Sequence, residues 1–481
     1  MLHLPVLRGG KPYLSLDTIQ LKHVGTGETV ALVSQANPGL IARDLILDAR
    51  HNRQILAERP VSELISMSRR AADLFMTGRL PMGDVMQGPD EFVAIQSATT
   101  GVPRALCHRN MEKIRFVLAE MERILMGLTR GLDLSVLDEG WNGNAQRPVS
   151  YLSQADMLGA VLPSNSPGVH ALWLPAVAMK VPLVLRPGRQ EPWTPFRVIQ
   201  AFLAAGCPPE ALSFYPSDYA GATEILSRCH RSLFFGDAAT VKPWLHDRRI
   251  ELHGPGKSKV LLAPDQISRW EDHVELMAAS IADNGGRSCV NASGVWVGGR
   301  APGLAEALAE KLAAMEPLPL DHPDARLAAF GDVQVARRIS DFIDDHLQAP
   351  GAEDLTAPYY KDGRVVEMDG LAFLRPTLIR CTDPAHALAR AELLFPFAAY
   401  VEVPPADLLD LIGPTLVGTV LTGDDRFAGA AMECRHIERL NLGSIPTGRV
   451  SWDQPHEGNL FELLYHRRAF QNPASAASAA A

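Results

Sequence analysis

The sequence predicts an α/β protein with two parallel-sheet domains, and three observations carry that prediction. Short apolar runs alternate with helical stretches of ten or so residues from about residue 148 onward, the pattern of βαβ units. The alternation comes in two series, with a boundary near 255–265. The chain has 481 residues, 47% of them apolar and 21% charged, enough to bury more than one apolar core. This composition excludes a disordered chain, a collagen-like chain and a coiled coil.

Taken in order, the first fifty residues read as short strands and then a helix. The run 29–34 (TVALVS) follows the turn signal Gly25-Thr26-Gly27, and helical periodicity begins near Leu40. It continues over 53–76, with a break at Pro60. Residues 110–128 place Ile114, Val117, Leu118, Met121, Ile124 and Leu125 on one helical stripe. Residues 130–147, richer in Gly, Asn and Asp, read as a connection. The first series then gives strands at 158–162, 181–185, 211–215, 232–235 and 260–262, and a helix at 194–205 that stops at Gly206. The second gives helices at 303–315, 335–347 and 384–394 and strands at 377–380, 398–403 and 415–421. The tail from Pro473 is low-complexity and expected to fray.

Several function classes are disfavoured. Forty-six Lys+Arg against 55 Asp+Glu give a formal charge of -9, with no general attraction for nucleic acid. Residues 157–179 contain no Asp, Glu, Lys or Arg and are long enough to span a bilayer, but Pro163, Asn165, Pro167 and Pro175 interrupt them. A buried loop-plus-helix segment is expected there instead of a membrane span. Cys107, Cys207, Cys229, Cys289, Cys381 and Cys434 are scattered, without a CxxC pair or zinc spacing, so no metal site is expected. That usage and the lack of a secretory signal at Met1–Pro5 suggest a reducing, cytoplasmic setting. Neither GxGxxG nor GxxxxGK[ST] occurs.

An ordered set of segments nevertheless resembles the aldehyde dehydrogenase superfamily. Leu162-Pro163-Ser164-Asn165-Ser166-Pro167 comes first. Val184-Leu185-Arg186-Pro187-Gly188-Arg189-Gln190-Glu191-Pro192 resembles the family's strand ending in Lys-Pro-Ser-Glu-x-x-Pro. Phe234-Phe235-Gly236 resembles its Phe-Thr-Gly turn, and His253-Gly254-Pro255-Gly256-Lys257-Ser258 its Glu-Leu-Gly-Gly-Lys-Ser segment. Asn284-Gly285-Gly286-Arg287-Ser288-Cys289 resembles Asn-x-Gly-Gln-x-Cys, and Glu392-Leu393-Leu394-Phe395-Pro396 resembles Glu-Ile-Phe-Gly-Pro. The resemblance implies a Rossmann-like dinucleotide-binding domain (1–139 and 159–255), a catalytic domain (256–445) and a small oligomerisation arm (140–158 and 446–470) before a flexible tail (471–481). It also implies a homodimer or homotetramer, assembled through a hairpin near 147–158 and a strand near 447–452.

The resemblance assigns roles that the residue chemistry fits. Cys289 is the expected nucleophile: a thiolate adds to an aldehyde and gives an oxyanion able to expel hydride. Asn165 and the Cys289 backbone N–H would stabilise that oxyanion. Gly236 would admit the dinucleotide diphosphate, beside an electrostatically awkward Asp237. Glu392 would hold the nicotinamide ribose. Arg186 and Arg189 stand where the family carries Lys and Glu for the adenosine ribose. An Arg there removes repulsion from a 2′-phosphate and adds a fork donor, so NADP is slightly favoured over NAD.

One departure bears on the outcome of the reaction. Four residues before Lys257, where hydrolytic members carry a Glu, this chain has His253. His253 or Glu251, two residues back on the same strand, could serve as base for a hydrolytic enzyme that releases a carboxylic acid. The Gly-Pro-Gly of 254–256, the cropped helix 238–246, and Asn-x-Pro-Gly at 165–168 are also similar to the coenzyme-A-acylating branch and to acyl-CoA reductases. The expectation leans to exchange of the thioester with coenzyme A, with an aldehyde or acyl thioester as the small-molecule partner. A non-catalytic scaffold on the same fold is the reading from another class. Trp173, Phe397 and Phe470 are expected in the core more than in a substrate tunnel.

Overall fold

A computed structural model describes residues 2–142 and 149–471. Residues 143–148 of the expected arm and the tail from 472 lie outside the described residues. Two seven-stranded sheets dominate the fold.

The first sheet runs Ile250–His253, Arg231–Phe235, Leu158–Val161, Leu183–Arg186 and Leu212–Phe214, all parallel. The antiparallel strands Val6–Arg8 and Lys11–Tyr13 extend it. Among the parallel strands the chain starts at the middle one, Leu158–Val161, builds outward to Leu212–Phe214, then returns to the other side of that strand. Such a switch point opens a crevice at the carboxyl ends of the strands, where α/β sheets bind ligands. Helices Val61–Thr77, Arg104–Ala119 and Trp193–Ala204 bury their apolar faces in the core of this domain.

The second sheet runs Ala352–Asp354, Thr377–Cys381, Phe397–Val403, Ala292–Gly298, Ser258–Leu262, Thr415–Leu421 and Ile437–Leu442. Its strands are parallel except the first. It is buried on both faces. Helices Val274–Ala282 and Leu304–Ala313 cover one face and helix Val333–Leu347 the other. The central strands therefore read as continuous apolar runs. The amino ends of its strands face the carboxyl ends of the first sheet, and the loops of both meet between them. A small sheet of Trp141–Asn142, Val149–Ser153 and Tyr465–Arg468 stands apart.

Most sequence-derived elements fall within one or two residues of those observed, and three differ. The helix expected over 110–128 is two, Arg104–Ala119 and Met121–Leu128, parted where Glu120 leaves helical geometry. The helix expected over 384–394 is a single 3₁₀ turn, Ala387–Arg390. Pro384 and Pro396 bracket this stretch, and a residue before proline avoids the helical region. The strand expected at 447–452 is absent. Arg439 instead donates to the carbonyls of Ser451 (2.9 Å) and Pro455 and holds an irregular loop. Tyr465–Arg468 is the strand that pairs with Val149–Ser153.

The stretch 157–179 is a buried strand, a loop, a 3₁₀ turn and a one-turn helix. No helix among the described residues is long and apolar enough to cross a membrane. Trp173 and Phe397 are core residues, and Phe470 packs on Trp141 at 5.1 Å. All six thiols are free.

Candidate active site

Cys289 lies between the two sheets, just before strand Ala292–Gly298. Asn284, Gly285 and Gly286 upstream all have left-handed backbone, so the loop turns sharply. Gly286 is required there: a Cβ would sit 2.2 Å from the carbonyl carbon of Phe395. The Cys289 carbonyl accepts from Ser258 Oγ at 2.8 Å, and that hydroxyl also accepts from the Val417 N–H. Gly256 touches the same carbonyl, where a Cβ would stand 2.1 Å away. The loop that carries Cys289 is thus seated on the start of strand Ser258–Leu262.

A buried polar network ties this loop to the first domain. Asn110 donates to Asn284 Oδ1 (2.8 Å), and Asn284 Nδ2 reaches Ser166 Oγ (3.2 Å) and Ser288 Oγ (3.0 Å). Asn165 Nδ2 donates to the Arg287 carbonyl at 2.7 Å. An amide nitrogen carries two protons, so one N–H of Asn165 remains for a second acceptor. Arg287 is itself buried, bonded to the Thr100 and Ala329 carbonyls and stacked on Phe330.

Cys289 is half-buried and borders two cavities. One, about 690 Å³, is also lined by Asn165, Phe235, Gly236, His253 and Glu392. It shares Pro163, Ser164, Phe235, Gly236 and Asp237 with a further cavity of about 790 Å³ that includes Arg186, Arg189 and Trp244. The pair forms one crevice from the carboxyl ends of the first sheet to the thiol. Its place and volume suit a dinucleotide. Arg186 is held by the Ser217 carbonyl (2.9 and 3.2 Å), whereas Arg189 is exposed and has no side-chain partner among the described residues. Gly236 packs on Thr240 Oγ1, which a Cβ would approach to 2.4 Å. Asp237 caps the short helix Ala238–Val241, accepting from the Thr240 N–H at 2.8 Å, and these bonds lower its pKa.

The electrostatics around the thiol are dominated by carboxylates. Burial, then the charges of Glu457 and Glu392, push the Cys289 thiol far above its ordinary value. Glu392 accepts from the Lys257 N–H, and burial raises its carboxyl to about 7. His253 is buried and stacks on Phe235 at 4.3 Å. Its Nδ1 meets Glu457 Oε2 at 2.5 Å and its Nε2 lies 3.3 Å from Glu251 Oε1. Burial by itself would lower the imidazole pKa, but the two carboxylates outweigh it and hold it at about 9.

The structure therefore brings Cys289, Asn165, Gly236, His253 and Glu392 to one cavity and Arg186 and Arg189 to the far end of the crevice. Glu251 shares a side of its strand with His253 but borders neither cavity of Cys289, so it backs the histidine instead of facing the thiol. Sequence reasoning missed Glu457, and it placed Ser258 and Asn284 within motifs without giving either a role.

A family profile described as the aldehyde dehydrogenase family matches residues 25–408. Among solved structures, an indole-3-acetaldehyde dehydrogenase complexed with NAD+ is similar at 17% identity and a TM-score of 0.80, covering 97% of this chain and 96% of that one. A gamma-glutamyl-gamma-aminobutyraldehyde dehydrogenase from Burkholderia cenocepacia gives 17%, 0.78, 97% and 96%. A succinate-semialdehyde dehydrogenase from Burkholderia pseudomallei gives 18%, 0.77, 97% and 97%. No curated protein matches in sequence.

Proposed function

The chain belongs to the aldehyde dehydrogenase family, and from that premise we propose that it oxidises an aldehyde on Cys289 and passes the acyl group to a thiol, coenzyme A, instead of to water. Cys289 Sγ adds to the carbonyl carbon and forms a thiohemiacetal. The free N–H of Asn165 and the Cys289 backbone N–H stabilise its oxyanion. A nicotinamide dinucleotide, when bound, accepts the hydride that leaves this carbon. The resulting thioester on Cys289 exchanges with the incoming thiol, which regenerates the free cysteine. Run backward, the same steps reduce an acyl thioester to an aldehyde.

Glu392 borders the thiol end of the crevice, as a ribose ligand would. Gly236 and the loop 163–164 border its middle. Arg186 and Arg189 border the adenosine end, where the unpaired Arg189 favours a 2′-phosphate and hence NADP. The small sheet containing Val149–Ser153 is the proposed contact of a homodimer or homotetramer.

The observation that carries the choice of acceptor is the state of His253. At neutral pH it is an imidazolium facing carboxylates on both nitrogens. A protonated imidazole cannot take a proton from water, so in that state His253 does not serve as the base for hydrolysis. The hydrolytic alternative, with His253 or Glu251 as base, gains from deprotonation of His253 as pH rises.

The test is reduction of NAD(P) by an aldehyde near neutral pH, with and without coenzyme A, with product analysis. Acyl-CoA formation with little free acid is expected. Equal rates without coenzyme A, yielding free acid, would overturn the choice of acceptor. An unreactive Cys289 with no dinucleotide binding would favour a scaffold.

A further inference from the structure

We propose that the aldehyde taken by Cys289 carries a carboxylate at the far end of an apolar stem. The inference rests on Cys289 as the reacting group and concerns the second cavity that this residue borders, of about 530 Å³. Much of its wall is apolar, with Leu106, Leu172, Ala279, Met315, Val450 and Trp452. Such a surface accepts a hydrocarbon stem and offers it few hydrogen bonds.

The charged lining is unbalanced. Four cations border the cavity, Arg109, Lys113, Arg326 and Arg449, against the carboxylates Glu275 and Asp283. Asp283 pairs with Arg109, and Lys113 lies 3.8 Å from its other oxygen. Glu275 is engaged by Lys311 at 2.6 Å. His456 adds no charge at neutral pH, because burial holds it well below its ordinary value. The guanidinium groups of Arg326 and Arg449 are exposed and have no partner among the described residues. In a chain of net charge -9, two unpaired arginines on a cavity that ends at the nucleophile mark a place for an anion.

Their backbones lie beside the loop that carries Cys289. The Arg326 carbonyl lies 3.4 Å from the Cβ position of Gly285, three residues before Ser288. Gly448, next to Arg449, lies 3.1 Å by the same measure from Asp283 Oδ2. Both arginines thus come from loops packed on the segment that presents Cys289. Guanidinium groups match a carboxylate fork to fork, and the apolar residues of the same cavity suit the hydrocarbon stem that would join it to the carbonyl.

The experiment compares straight-chain aldehydes with their ω-carboxylated counterparts of equal carbon number, using the full chain with dinucleotide and coenzyme A in fixed excess. A kcat/KM higher by about tenfold for the carboxylated aldehyde is expected, the worth of one charge-assisted hydrogen bond. The difference should lie mainly in KM and shrink as salt is raised. The double variant Arg326→Gln, Arg449→Gln should remove most of that preference. Both positions are exposed, so the variant should fold.

Equal or better use of the neutral aldehyde would overturn the proposal while leaving the dehydrogenase reading intact. So would a double variant that keeps the preference. A variant that raises KM for coenzyme A alone would make the arginines a phosphate site, which also overturns it. Oxidation of neither aldehyde would overturn the functional reading, and this inference with it.

Discussion

Glu457 is the side chain that sets the chemistry of two others. It bonds His253 Nδ1 and its charge bears on the Cys289 thiol. Its backbone is left-handed, in the loop that also carries His456. Replacing it with glutamine, Glu457→Gln, keeps the shape and removes the charge. His253 then keeps only Glu251 as an ionic partner, and its pKa should fall by about one unit or more. A histidine that loses an anion loses preference for its charged form, so neutral imidazole becomes available at lower pH. Acid release without coenzyme A should begin about one pH unit earlier than in the wild type. Iodoacetamide should alkylate Cys289 faster at fixed pH, because one of the charges opposing the thiolate is gone. An unshifted pH profile and an unchanged alkylation rate would show that Glu457 does not govern the pair. Stability should respond in the same sense. The raised pKa of His253 stabilises the fold at pH below its ordinary value of ~6.5, and that contribution is lost as pH rises through about 9. The melting temperature of the variant should therefore fall less across that window.

At the scale of elements, Cys289, the proposed nucleophile, is held by strand starts and tight loops. Gly256 precedes strand Ser258–Leu262 and lies against the Cys289 carbonyl, which Ser258 also holds. Gly256→Ala would force that loop to move. A displacement of ~1 Å at a reacting atom costs about a hundredfold in rate. We expect a loss of that order in kcat, with circular dichroism near that of the wild type. A variant of full activity would show the loop free to yield. This element also shows what a sequence makes legible. The Gly-rich segments 254–256 and 284–286 stand out because close approach and left-handed backbone restrict residue choice locally. The parallel strands stand out because burial on both faces makes them continuously apolar. Glu457 leaves no such mark, since it meets His253 across 204 residues and only the tertiary path joins them. The same holds for 447–452. The family resemblance implies a strand there, but Arg439 bonds the Ser451 carbonyl and the stretch lines the second cavity of Cys289 instead. Helix 384–394 fails for a local reason: its periodicity is helical, yet Pro384 and Pro396 bracket it and only the turn Ala387–Arg390 forms.

At the scale of the whole molecule, two domains with separate cores share one crevice. The end proposed for the adenosine is lined by residues of the first domain alone, from Ile19 to Trp244. The thiol end is lined by both, with Asn165 and His253 from one and Arg287, Cys289, Phe330 and Glu392 from the other. A ligand that fills only the adenosine end can stabilise only the first domain. A complete dinucleotide must touch both, so its binding free energy couples their unfolding. The stabilisation follows RT ln(1 + [L]/Kd), about 2.7 kcal/mol at a hundredfold excess over Kd. Scanning calorimetry can separate the cases. Adenosine 2′,5′-bisphosphate should raise the transition of the first domain and leave that of the second in place. NADP should raise both and bring them together, and by more than NAD does at equal concentration if Arg189 holds the 2′-phosphate. A shift confined to one transition with the full dinucleotide would mean that it does not reach Cys289. Equal shifts with NAD and NADP would remove Arg189 from the specificity of the site.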